Sequence, residues 1–232
     1  MFTAEQAREY VTERLMATRR KGVKKLLAYM DDIGFFTAPA SGGNHLSCEG
    51  GLVIHTANVM MMAEKFGKDC FGTEGYKNIK HSLMLAAGLH DLGKCGREGT
   101  PYYVENLVKA GRPTKAHPVQ HYKRSESKPY SINKNLCHVD HPLRSVELAT
   151  KFIDLTEEEL HAVFYHDGMY GSLAYDLKGH EEPLQTCLHF ADFWAAHFME
   201  DKAAAKEGEN DGTCEKLMTA EDMRLTTTAR RL

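Results

Sequence analysis

The sequence predicts an all-α domain, a helical bundle that carries one small β-hairpin-like insert. In several separate stretches apolar residues recur at helical spacing, and a His or Asp shares the buried face each time. Outside one middle stretch, no long run alternates apolar with polar residues as a half-buried strand would.

Thr3-Ala4-Glu5-Gln6 matches a capping box, and a helical pattern runs from it to about Met30, apolar at Ala7, Val11, Leu15, Leu26 and Leu27. Gly34 through His45 is rich in turn formers and predicts a loop, anchored by Phe35 and Phe36. Glu49-Gly50-Gly51 opens the next helix, where His55, Val59, Met62 and Phe66 share a face. Ile79, Leu83, Ala86 and His90 repeat that arrangement in a helix ending at Leu89-His90-Asp91-Leu92-Gly93-Lys94. Adjacent helical side chains diverge by roughly 100°, so His90 and Asp91 approach one centre from different sides. Gly93 fits the end of that helix, and Lys94 hangs a cation over the same opening.

Between Lys94 and His141 the helical period is lost. Residues 101–105 and 119–123 read as strands with Gly111-Arg112-Pro113 between them, a hairpin-like insert within about 95–140. From 101 to 135, seven Lys or Arg stand against Glu105 and Glu126. Such a basic segment is either a solvated loop or a lid that attracts an anionic substrate. His141-Pro142 restarts a helix with Pro142 at its first position. Thr156 to Glu159 is a second capping box, whose helix ends at Tyr165-His166-Asp167-Gly168. In the last helix Leu188, Asp192, Ala195 and Met199 share a face. Beyond them the chain turns polar, which predicts a linker and a marginal terminal helix in 201–232.

The 232 residues suit one domain over 1–200 followed by that polar tail, and 42% hydrophobic content suffices for a core. A net charge of −3 argues against stable nucleic-acid binding through a basic surface. The six cysteines form no C-x-x-C pair and read as reduced thiols. The first residues hold no signal-peptide core and no apolar run is long enough to span a membrane, so a cytoplasmic chain is expected.

The inward candidates are His55, His90, Asp91, His141, His166 and Asp192. A core His satisfied by a backbone carbonyl is the plain reading of any one histidine, but it would have to hold at every position together. A buried carboxylate is costly unless it is paired or binds a cation. Imidazole and carboxylate without thiolate suit one or two divalent ions (Mn, Fe, Co, Ni or Mg) better than a Cys-rich zinc site does.

The order His, then His-Asp, then Asp resembles the HD-domain superfamily of metal-dependent phosphohydrolases. His141 and His166 resemble the two further histidines of its two-metal members. Phe35 through Ser41, with Glu49 through His55, looks like a bacterial and phage branch of HD hydrolases; Gly-Gly-Leu-x-x-His-Thr also occurs in HD-type exoribonucleases. The resemblance covers roughly residues 35–199 and implies an HD-type bundle around a metal centre. It implies that His55, His90, Asp91 and Asp192 hold one metal, and that Asp91 bridges to a second held by His141 and His166. It implies a metal-activated hydroxide as nucleophile. Lys94 suits a phosphate oxygen and Arg144 or the basic insert a second one, while His45 reads as an aid to the leaving group, a phosphate partner or a structural loop residue. The expected partner is a small phosphorylated substrate such as a nucleotide, with self-association left open. The alternatives are a phosphodiesterase, a di-iron oxygenase on the same ligands, and a nucleotide-sensing module. His117, His121, His138 and His189 are spare candidates, and Asp167 reads as a turn residue or a hydrogen-bond partner of a ligand.

Overall fold

The computed structural model describes residues 2–115, 118–200 and 218–219. Helix α1 (Ala4–Ala17) begins at the expected capping box: Gln6 N–H donates to Thr3 Oγ1, and Thr3 N–H donates to Gln6 Oε1. The single helix expected up to Met30 is two. Thr18 Oγ1 donates back to Leu15 O, the chain turns left-handed at Arg19 (φ 54°) and Gly22 (φ 92°), and α2 runs over Val23–Asp32. Left-handed residues end a right-handed helix, and an apolar face that resumes after such a turn reads in sequence like one that never stopped.

Helix α3 (Gly51–Leu89) is the spine, kinked at Gly72 (φ 65°, ψ 177°) into two helical halves. It packs against α1 and, on another side, against α7 (Pro183–Trp194). Leu52, Met60, Leu83, Leu85 and Leu89 of α3 are fully buried in a core that also takes Leu15, Leu26 and Leu188. Each such side chain contributes roughly 1.5–3 kcal/mol by leaving water. The entry to α3 needs both its glycines. Gly50 has φ 72°, and a Cβ on Gly51 would lie 2.0 Å from the Leu46 carbonyl oxygen. This close approach draws the His45 loop onto the helix that carries His55.

After a 3-10 turn at Leu92–Cys95, the insert forms small antiparallel sheets. β1 (Gly96–Arg97) pairs with β2 (Thr100–Pro101), and β3 (Tyr103–Glu105) with β6 (Tyr130–Ile132). β4 (Leu107–Ala110) pairs with β5 (His121–Arg124), whose other edge takes β7 (Met218–Thr219). The expected partnership of 101–105 with 119–123 is therefore corrected: β3 pairs with β6, and the hairpin proper is β4–β5. The two ladders form one ribbon stepped at Asn106, whose N–H donates to Pro129 O while its carbonyl accepts from Ser125 N–H. Ser125–Pro129 loops out at the step, and alternation in sequence carries no mark of such a bulge.

α4 (His141–Ala149) has Pro142 in its first turn, and α5 (Glu157–Phe164) starts at the Thr156–Glu159 capping box. A 3-10 turn (Gly168–Tyr170) and α6 (Ala174–Leu177) lead to α7, which ends in a π-helical turn over Ala195–Met199. Arg20 forms a bidentate pair with the buried Glu159 and donates to Asp154 O, tying the α1–α2 turn to α5. Among the described residues the fold is mainly helical, the largest sheet has three strands, and no helix is long and apolar enough to cross a membrane. The linker and terminal helix expected in 201–232 lie outside the described residues, apart from β7.

Candidate metal centre

Four helical segments deliver side chains to one point. His55 comes from the first turns of α3, His90 and Asp91 from its C-terminal end, and His141 from the start of α4. His166 follows α5, and Asp192 lies on α7. The approach of the α4 start to the α5 end is what a short connection between antiparallel helices produces.

Gly93 lies in the 3-10 turn with an ordinary backbone, so its expected role in ending the helix is corrected. A Cβ there would fall 2.1 Å from His141 O and 2.9 Å from Ser145 N. Its N–H donates to Ser145 Oγ (2.8 Å), which donates to His90 O (2.7 Å). Gly93 thus sets how close α4 comes to the His-Asp pair. Gly93→Ala should destabilise the fold by about 1–3 kcal/mol through overpacking and displace His141; a thermal melt alongside a metal titration checks both effects.

Asp91, 1% exposed, sits between two imidazole pairs. Its Oδ2 is 3.4 Å from His55 Nε2 and 3.5 Å from His90 Nε2; its Oδ1 is 3.2 Å from His141 Nε2 and 3.5 Å from His166 Nε2. Within each pair the Nε2 atoms are 3.3 Å apart. Asp192 Oδ1 lies 3.0 Å from His55 Nε2 and groups with His90 and His166. All six predicted ligands are therefore brought together. Asp167, half-exposed, reaches 3.5 Å from His141 Nε2 and 3.6 Å from His166 Nε2.

For three of the four imidazoles the far side of the ring explains why the Nε2 atoms converge. His90 Nδ1 donates to Ala87 O and His166 Nδ1 to Val163 O, both at 2.8 Å, and His55 Nδ1 faces the Glu200 carboxylate. A neutral imidazole with N–H at Nδ1 carries its lone pair at Nε2. Lone pairs and carboxylate oxygens then point into one small volume, and Asp91 Oδ1 is buried with no hydrogen-bond partner. Such a volume is satisfied by positive charge, as protons on the rings or as a cation, and this donor set could hold a divalent ion. Among the described residues, no cysteine joins the groups able to hold one.

The electrostatics express the same demand. Burial opposes charge on His55, but Glu200 and Asp192 outweigh it and raise its pKa to about 10. Burial likewise opposes charge on His166, and Asp167, Asp91 and Asp192 raise it to about 9. Burial would push Asp91 up, yet the Lys94 ammonium, His90 and the His141 and His166 rings facing its Oδ1 hold it well below the usual carboxylate range. Asp192 is held down, against burial, by His55. His141 is lowered by burial and by nearby Lys94, against the pull of Asp91.

Sequence reasoning missed Glu200. It is 4% exposed, and its carboxylate meets His45 Nδ1 at 2.5 Å, His55 Nδ1 at 3.0 Å and Asn58 Nδ2 at 2.9 Å. The π-helical turn brings it inward by inserting a residue into the last turn of a face that, at α-helical spacing, points to Met199. The available signal was an acid two turns beyond Asp192. His45, His55 and Glu200 are close enough for a cation of their own, but three N–H donors already fill that carboxylate.

The side chains of Lys94 (16% exposed), His141 (18%), Asp192 (17%) and His45 (14%) mark the mouth of the site. Lys94 Nζ donates to Asp91 Oδ2 at 2.6 Å, and Asp91 keeps its ammonium charged despite burial. His45 is lowered by burial, with Glu200 opposing and His55 adding to the shift. Arg144 is buried beside Gly93 and its guanidinium donates to the Cys137 carbonyl (3.2 Å). Of the spare histidines, His189 donates to His166 O, His121 lies in β5 and His138 is exposed. His117 is outside the described residues. The insert docks on the His45 loop, with Tyr130 N–H donating to Gly42 O and Tyr103 packing over Gly42. Compared with family models, curated proteins and solved structures, the chain has no match.

Proposed function

We propose that the chain is a metal-dependent phosphohydrolase of the HD type that cleaves a phosphate ester of a nucleotide or similar small anion. The observation that carries this reading is the Asp91 carboxylate, with one oxygen toward the His55–His90 pair and the other toward the His141–His166 pair. His55, His90, Asp91 and Asp192 would hold one divalent cation, and Asp91, His141 and His166 a second. When bound, such a pair supplies Lewis acidity, making water nucleophilic at neutral pH and neutralising phosphoryl oxygens.

The remaining work falls to the chain's own groups. Lys94 at the mouth meets a phosphoryl oxygen with its ammonium. His45, with Nδ1–H committed to Glu200, keeps Nε2 for a proton at the leaving oxygen. The basic insert, seated on the His45 loop, raises the local concentration of anionic substrate. The test is metal analysis of anaerobically purified protein, followed by a phosphate-release screen over nucleotides with each metal. Release of phosphate from a nucleotide, with about two cations per chain, supports the reading. No release from any phosphate ester, together with oxygen uptake by the iron form, replaces it with an oxygenase.

A further inference from the structure

We infer that Glu200 is a positioning residue, whose carboxylate locks His55 in the tautomer that presents Nε2 to the first cation and binds His45 into the same clamp. The inference rests on the metal-binding reading above. Glu200 is buried and collects three donors from two parts of the chain: His55 and Asn58 on α3, and His45 in the loop before it. An ionised carboxylate only accepts, so both imidazoles face it with Nδ1–H. With a cation in place of the proton that faces Asp192, His55 Nε2 then presents its lone pair at a point 3.3 Å from His90 Nε2 and 3.0 Å from Asp192 Oδ1.

His90 and His166 are oriented in the same sense by neutral backbone carbonyls. His55 alone of these three has a full negative charge behind it, which makes its Nε2 the stronger donor to a cation. Asn58 pins Oε1, so the carboxylate cannot swing into the cation volume. The clamp also couples the mouth to the centre. His45 and His55 share one carboxylate and pack edge to face at 4.9 Å, so a shift in His55 is transmitted to the loop at the opening.

Glu200→Gln tests this. The amide keeps one acceptor oxygen but puts an NH2 donor against either an imidazole N–H or the Asn58 amide. Chelator-stripped wild-type and E200Q protein are titrated with MnCl2 by calorimetry, with circular dichroism to verify folding. Wild type should show two binding events. In E200Q one event should weaken by about 10–100-fold while the event at His141 and His166 keeps its affinity. A generally loosened structure would weaken both, and this outcome or two unchanged events would overturn the inference. If E200Q does not fold, ¹⁵N NMR of Zn²⁺-loaded wild type decides. His55 should carry its hydrogen on Nδ1, and a hydrogen on Nε2 overturns the inference. Wild-type protein that binds no Mn²⁺ would overturn the metal reading itself, which separates the two failures.

Discussion

Asp91→Ala should lower phosphate release on the order of a thousandfold or more while the far-UV circular dichroism of the helical fold persists. The same carboxylate faces all four imidazoles, so its loss removes a ligand from both proposed cations together. It also leaves Lys94 without its partner at 2.6 Å. Breaking a buried pair in this way costs about 3–5 kcal/mol, less here because Lys94 reaches toward solvent. A lower melting temperature should therefore accompany the lost activity. The apolar core, which Asp91 does not enter, keeps the helices packed. Turnover near the wild-type rate at saturating metal would refute the proposed chemistry.

The His141→Ala/His166→Ala double variant should retain about one cation where wild type binds two, with a large fall in phosphate release. Both imidazoles direct Nε2 at Asp91 Oδ1, with the two Nε2 atoms 3.3 Å apart, whereas the Glu200 carboxylate takes His45, His55 and Asn58. The variant thus separates the two halves of the site. Asp91, His55, His90 and Asp192 remain to hold the first cation. A plain alternative has His141 as a helix cap and His166 as a C-terminal cation on the helix dipole. The capping part is weakened because Asp140 occupies the N-cap of α4, and His166 lies beyond the C-cap of α5 at Tyr165. Equal metal content and equal activity in the two proteins would leave a mononuclear enzyme and remove the second cation from the mechanism.

The imidazoles and carboxylates of the site and their inward faces are legible in the sequence alone. His55 with Val59 and Met62, His90 with Leu83 and Ala86, and Asp192 with Leu188 all obey helical spacing, and burial of the apolar members forces the polar one inward. The capping boxes at Thr3 and Thr156 were legible for a similar reason, since their bonds span three residues and depend on local backbone alone. The break after Ala17 was not, because the apolar face resumes in phase after the turn. The insert pairing was misplaced because the four-residue offset between its two ladders arises at one step, Asn106 against Ser125–Pro129.

What the sequence by itself determined is therefore the chemistry of the site: which helices turn which imidazoles and carboxylates inward. Only the tertiary structure decided how those groups are aimed. The Nδ1 partners of His90 and His166 are backbone carbonyls that no side-chain pattern announces, and the Gly93 contact exists because α4 presses against it. Glu200 lies 145 positions from His55 and turns inward only because a π-helical turn shifts the face by one residue. Periodicity follows from the geometry of a single helix, whereas tautomers, close approaches and carboxylate clamps follow from how separate helices settle against one another.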